Sequence, residues 1–120
     1  ATNNILLAHN NTTSNFAFEV YSGGASVTNI SLSGFWTIGV WVHVTVTADA
    51  SGNINIYRDG NLINLSSPPP GITVLVNIQG TPIAAVSRTI NYLGRSPWGV
   101  DGFADSSIAD FKVLVGVQPP

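Results

Sequence analysis

Three aromatic residues and one arginine lie in stretches with turn character and could form a binding surface. The aromatics are Trp36, Trp98 and Phe103, and Arg95 precedes Trp98 by three residues. An exposed aromatic face can stack on the C–H surface of a sugar or anchor a protein contact. Arg95 could face a ligand or pair with a nearby aspartate. The alternative is that these aromatic side chains fold back over the rim of the domain.

The residues that hydrolysis would need are largely missing. Glycoside hydrolysis uses a pair of carboxylic acids around the scissile bond, whereas Glu19 is the sole glutamate. The chain contains no Gly-x-Ser-x-Gly motif and no cysteine, so neither of these nucleophiles is available. His9 and His43 are too far apart in sequence to form a metal-ligand motif. The sequence therefore predicts a protein that is not an enzyme.

Composition excludes several further classes. Four basic and six acidic residues give ten charged residues among 120 and a net charge of −2. Such a balance offers no electrostatic footprint for nucleic acid or for an anionic membrane. No run approaches the roughly 18 apolar residues of a membrane-spanning helix, and without cysteine no disulfide can form. Because methionine is also missing, we expect a processed product or a segment of a longer protein.

Several asparagines stand in glycosylation sequons. The sites are Asn10, Asn11, Asn29 and Asn64. Asn64 and the Asn10/Asn11 pair lie in turn-like contexts and are better candidates than Asn29. Chance matches in a chain rich in Asn, Ser and Thr are the alternative.

Short runs of β-forming residues alternate with turn signals along the whole chain. Such even spacing is typical of a β-sandwich or barrel, and no segment has a convincing helical period. The predicted strands are 4–9, 15–22, 26–32, 40–48, 53–58, 61–65, 72–79, 83–86, 90–94 and 107–115.

Apolar side chains alternate along these strands and predict the core of a two-layer antiparallel sandwich. The predicted core faces are Phe16, Phe18 and Val20; Val42, Val44, Val46 and Ala48; Ile72, Val74, Val76 and Ile78; and Phe111, Val113 and Val115. Two hairpins are predicted, one closed by residues 49–52 and the next by Asp59-Gly60. The prolines at 68–70 are expected to carry the chain from one sheet to the other.

Two motifs carry a resemblance to a known family. The first is Trp41-Val42-His43-Val44, followed by Asp49 and then by Ile56-Tyr57-Arg58-Asp59-Gly60. The second is Tyr92-Leu93-Gly94-Arg95, followed by a Gly-rich loop and Ser107-Ile108-Ala109-Asp110-Phe111-Lys112-Val113. This order resembles the concanavalin A-like, laminin-G-like jelly-roll family. The resemblance implies one antiparallel β-sandwich over residues 1–118, with 119–120 as the start of a linker or a frayed terminus. It also implies that Trp41 and His43 are packing residues.

The sequence departs from the family pattern in two places. The family usually begins with an additional strand beside the last one, and nothing before Ile5 can supply it. The segment 72–89 is also longer and more apolar than the loop usually found there. We therefore expect either a truncated chain or a sheet with an open edge, which is a template for another chain.

The resemblance also bears on metals and catalysis. Some family members hold calcium with loop carboxylates, and Ca²⁺ takes six to eight oxygen ligands. Asp101 and Asp105 flank the Gly-rich loop and are the best pair for it here. Otherwise no cofactor is expected. The Glu-x-Asp-x-x-Glu strand of the family's glycosidases is missing.

The leading functional hypothesis is a non-catalytic extracellular recognition or adhesion module. It would bind carbohydrate or protein through the loops near Trp98 and Asp101. One alternative is a self-assembling structural subunit of an extracellular filament or surface layer, joined through the open sheet edge. Another is an accessory domain of a larger secreted enzyme.

Overall fold

The computed structural model describes residues 3–10, 14–86, 88, 91–93 and 106–114. Its seven strands are β1 (Asn4–Asn10), β2 (Asn15–Ser22), β3 (Ala25–Ser33), β4 (Val44–Ala48), β5 (Ile54–Arg58), β6 (Asn61–Leu62) and β7 (Thr73–Ile78).

The strands form two antiparallel sheets. The larger sheet has the order β1-β2-β3-β7, and the smaller sheet has the order β4-β5-β6. This arrangement confirms the predicted all-β antiparallel sandwich. In the described part of the chain, no helix has the length and apolar character needed to cross a membrane.

The core lies between the inner faces of the two sheets. Phe16, Phe18 and Val20 alternate along β2 and are buried, as predicted, and Ile54 and Ile56 meet them from β5. Burying each such side chain contributes about 1.5–3 kcal/mol to folding. Burial of this face fixes which side of each strand points inward.

Turn chemistry sets the register of the smaller sheet. Asp59 and Gly60 both have positive φ, 52° and 80°, which is the geometry of a type I′ turn between β5 and β6. Gly52, with φ 80°, closes the preceding hairpin, where its amide donates to the Asp49 carbonyl at 3.0 Å. Both predicted hairpins are confirmed.

The chain passes from the larger sheet to the smaller one between β3 and β4 and returns between β6 and β7. The prolines at 68–70 lie between β6 of the smaller sheet and β7 of the larger one, as predicted. Beyond β7, the Gly80 amide donates to the Gly52 carbonyl at 3.0 Å, and the Gln79 Oε1 accepts from the Ile54 amide at 2.6 Å. The end of β7 is therefore fastened to the β4–β5 hairpin.

The predicted alternation along β7 is only partly right. The register shifts between Ser31 and Leu32, so Leu32 pairs with Val74 and Ser31 with Val76. One additional residue on β7 puts Val74 and Val76 on opposite faces of the sheet. Ile78 is consequently exposed, although the simple alternation predicted it in the core.

Three predicted strands are not found in the described residues. Residues 83–86 are irregular, because the Val86 amide turns back to the Ala84 carbonyl. Residues 91–93 and 107–114 are also not strands. Asp110 has φ 54°, which interrupts an extended run, and Phe111 and Val113 are exposed rather than buried.

Two other strands are shorter than predicted. β4 begins at Val44 rather than at residue 40, and β6 ends at Leu62. Of the residues left out of β4, Trp41 and His43 were expected to be packing residues, and both are exposed. The turn and loop that precede β4 explain this difference, and they form part of the site described next.

Candidate functional site

Among the predicted ligand-binding residues, Trp36 lies in the described part of the chain. The others lie outside the described residues: Arg95, Trp98 and Phe103, together with the predicted calcium pair Asp101 and Asp105 and the sequon residue Asn11.

Trp36 packs at the rim of the sandwich. Its ring meets that of Phe35 edge-on at 4.7 Å between centroids, and lies 6.1 Å from Phe16 and 6.4 Å from His9. Its Nε1 is buried, with no hydrogen-bond partner among the described residues. Its backbone is held by the Ser14 carbonyl, which accepts from the Trp36 amide at 3.1 Å. This geometry matches the alternative in which a loop aromatic folds back over the rim.

The segment directly after Trp36 forms an exposed apolar loop, made of Ile38, Val40 and Trp41. The Val40 amide donates to the Thr37 carbonyl at 3.2 Å, and Gly39 supplies a positive φ of 76°. This tight turn projects Ile38 fully into solvent, and Trp41 is 68% exposed. Neighbouring exposed apolar side chains of this kind are characteristic of interaction sites.

The adjoining hairpin holds the chain at the end of this apolar loop. The Asp59 carboxylate accepts from the His43 amide at 2.9 Å, and the Asp59 amide donates to the His43 carbonyl at 2.8 Å. Because His43 follows Trp41 by two residues, the type I′ turn fixes the backbone next to the exposed indole. A site supported by a rigid hairpin loses less entropy on binding than one on a free loop.

Reasoning from sequence missed Trp41 because it was placed on a continuous strand beginning at residue 40. The signal that could have found it is Gly39 between Ile38 and Val40. Glycine is one of the strongest local punctuators of secondary structure, and Gly39 takes the positive φ of the turn before β4.

The sequon asparagines occupy different settings. Asn64 is exposed, and its Oδ1 accepts from the amides of Ser66 and Ser67 at 3.0 and 3.1 Å. Asn29 is partly buried within β3, where its Oδ1 accepts from the Ser31 hydroxyl at 3.3 Å. Asn10 is the last residue of β1. The setting of Asn64 is the more accessible one, and modification at any of these sites stays a prediction.

Glu19, Asp49 and Asp59 form hydrogen bonds with groups near them in the fold. A hydrogen bond with Glu19 is the main cause that raises the pKa of Tyr21. The Asp49 carboxylate accepts hydrogen bonds from the backbone amides of Ser51 and Asn53. The Asp59 carboxylate accepts from the His43 amide. The residues that the structure describes contain no group of three or more His, Asp or Glu side chains placed to hold a metal ion.

Comparison with known proteins assigns the family. A laminin-G family model, described as the concanavalin A-like lectin/glucanases superfamily, matches residues 1–117. The chain therefore belongs to that superfamily, in agreement with the resemblance of its two motifs. Neither the curated proteins nor the solved structures that were searched contain a match. Family membership indicates a carbohydrate- or protein-binding module, and the particular ligand has to be argued from this chain.

Proposed function

We propose that this chain is a non-catalytic, extracellular recognition module that binds carbohydrate or protein through exposed aromatic and aliphatic side chains. The observation that carries the proposal is the apolar loop of Ile38, Val40 and Trp41, held beside a rigid hairpin. Family membership supports the same class of function. The 95–105 loop, with Trp98, Arg95 and Phe103, remains a second proposed contact region, and calcium at Asp101 and Asp105 remains a proposed ligand.

The exposed indole of Trp41 is the expected anchor. Tryptophan is enriched among the residues that dominate binding energy, because it brings a large rigid surface at a small cost in side-chain entropy. The faces of sugar rings carry C–H groups that suit an aromatic partner, and the low charge of the chain places few strongly hydrated groups on its surface.

The test is binding of the whole chain to an array of glycans and matrix proteins. The wild type is expected to give a signal that Trp41→Ala reduces by about tenfold or more, as for a central contact residue. Leu75→Ala is the matched control, since Leu75 is an exposed apolar residue on β7, and it should keep the wild-type signal. Lack of binding by the wild type to every glycan and protein would contradict the proposal.

A second function is favoured by a separate observation. β1 and β7 are the end strands of the larger sheet in the described part, and Ile5 and Leu7 on β1 are exposed. A sheet whose two end strands have no further neighbour among the described residues can add copies in a head-to-tail array, which does not close and so grows into a filament. We therefore propose a self-assembling structural subunit as the alternative.

Light scattering over a range of protein concentrations tests this alternative. Polymers that grow with concentration are expected, and Leu7→Lys should suppress them because a charged edge residue disfavours strand addition. Ile38→Lys adds the same charge to the apolar loop and should leave polymer size unchanged. A wild type that stays monomeric at every concentration excludes assembly through these edges.

A further inference from the structure

Arg58 places a charge on the inner, apolar face of the smaller sheet. It follows Ile54 and Ile56 at alternate positions of β5, and both isoleucines are buried. Residues at i, i+2 and i+4 of a strand share one face, so Arg58 stands where a further apolar residue would continue the core. A partly buried cation in this position needs a compensating partner.

The protein supplies part of that compensation. The Arg58 Cζ lies 5.6 Å from the centroid of the Phe35 ring, in range of a cation–π contact. The neighbouring carboxylate of Asp59 accepts instead from the His43 amide. The Nε of Arg58 is buried and has no hydrogen-bond partner among the described residues. A buried donor without an acceptor is unfavourable and calls for an explanation.

A recess of about 230 Å³ adjoins Arg58. Its walls come from the β5–β6 hairpin and from the proline-rich crossing that leads to β7. The residues around it are Arg58, Asn61, Leu62, Ile63, Pro69 and Ile72. The volume lies below the roughly 300–1,000 Å³ of sites for drug-sized ligands, so the recess suits one small group.

The lining combines one cation with an acceptor and apolar walls. Asn61 uses its Nδ2 to donate to the Asp59 carbonyl at 3.4 Å, and no hydrogen bond of the described residues uses its Oδ1. That oxygen can accept from a hydroxyl group. Ile63 and Ile72 are buried at 5% and 7% exposure and, with Pro69, offer a surface for carbon atoms.

We propose that this recess binds a small hydroxy-carboxylate, of which a sugar acid is the representative class. The guanidinium of Arg58 pairs with the carboxylate, because its planar set of donors matches the two oxygens of that group. Asn61 accepts from a hydroxyl of the ligand, and the carbon skeleton lies against Pro69 and Ile72. The site lies apart in sequence from the apolar loop and from the 95–105 loop, and nothing in the proposed function assigns it.

Calorimetric titration with galacturonate tests the site, and galactose serves as the matched neutral ligand. Galacturonate is expected to bind at least about tenfold more tightly, because galactose lacks the group that forms the charge-assisted hydrogen bonds. The same titration with an oligogalacturonide separates a free acid from an acid residue within a polysaccharide. Binding of either form supports the site, and the tighter one identifies the source.

Arg58→Gln is expected to weaken galacturonate binding by about tenfold or more. Arg88→Gln removes the same charge from another partly buried arginine and is expected to leave the affinity within about twofold. Unfolding midpoints of both variants check that they fold. The Nε–H signal of Arg58 in the NMR spectrum of the wild type should shift during the titration, whatever the stability of the variants.

Equal affinity for galacturonate and galactose would overturn the proposal, and so would an Arg58 Nε–H signal that does not move. Lack of binding to either ligand would overturn it as well. The probe and the variant differ from those of the Trp41→Ala experiment, so the two proposals can fail separately.

Discussion

The Asp49 carboxylate shows how a single side chain organises a hairpin. Its Oδ1 accepts from the amides of Ser51 and Asn53, each at 2.9 Å, and its Oδ2 accepts from the Asn53 Nδ2 at 2.9 Å. These donors favour the ionised form, and the Asn53 side chain contributes most to lowering the pKa of Asp49 from its ordinary value of 3.8. Asp49 is therefore a turn-forming residue, as its position before Gly52 predicts.

Asp49 should link the stability of the fold to pH. Because its pKa is lower in the folded than in the unfolded chain, its contribution is present above pH 3.8 and is lost as pH falls through the folded value. Asp49→Asn should thus be less stable than the wild type near neutral pH. The difference should shrink as the pH falls below 3.8, because the unfolded chain then takes up a proton at Asp49 more readily than the folded one. Urea unfolding at about pH 6 and about pH 2.5 measures it, and an equal difference at both pH values would contradict this account.

Two glycines in the hairpins of the smaller sheet have the same φ but different surroundings. Gly52 and Gly60 both have φ 80° and both close hairpins of the smaller sheet. A Cβ at Gly52 would overlap the Thr81 carbonyl, whereas a Cβ at Gly60 would meet no atom within 4 Å. Gly52 is therefore required because the segment after β7 lies too close for a side chain. Gly60 is required only because its φ is positive.

This contrast predicts unequal effects of alanine. Gly60→Ala should destabilise the fold by about 1–2 kcal/mol, the cost of a left-handed backbone for a residue with a Cβ. Gly52→Ala should destabilise it by a further ~1–3 kcal/mol, because the Thr81 backbone must move. Chemical unfolding of the two variants gives both values. Equal losses would show that the Gly52–Thr81 approach contributes nothing to stability.

The elements also show where sequence patterns are reliable. β2 is predicted well because Phe16, Phe18 and Val20 alternate on a strand that one sheet face buries completely. The Asp-Gly hairpin is predicted well because few backbone geometries suit that pair. Val76 and Ile78 are misplaced, since a bulge depends on the partner strand and leaves no local sequence signal. Phe111 is misplaced because the pattern does not reveal the left-handed φ of Asp110.

For the whole molecule, the two-sheet sandwich and the family follow from the sequence, whereas the candidate site follows only in part. Trp36 was predicted as a ligand-binding aromatic, and its ring packs against Phe16 and Phe35, as the alternative of folding back over the rim described it. Trp41 was expected to be a packing residue on the predicted strand, and it is exposed instead. The difference arises because exposure depends on how the chain enters β4, which is set by the hairpin contact between Asp59 and His43. Arg58 was not singled out, because Pro69 and Ile72 of the crossing segment complete the recess beside it, and the local pattern of β5 does not reveal that approach.

The proposed role of Trp41 as the anchor of the exposed apolar loop can be measured directly. The most direct measurement is an equilibrium titration of the wild type and Trp41→Ala with the glycan or protein that binds best on the array. We expect a Kd at least about tenfold higher for Trp41→Ala, with the Kd of Leu75→Ala unchanged. A Kd for Trp41→Ala equal to that of the wild type would contradict it.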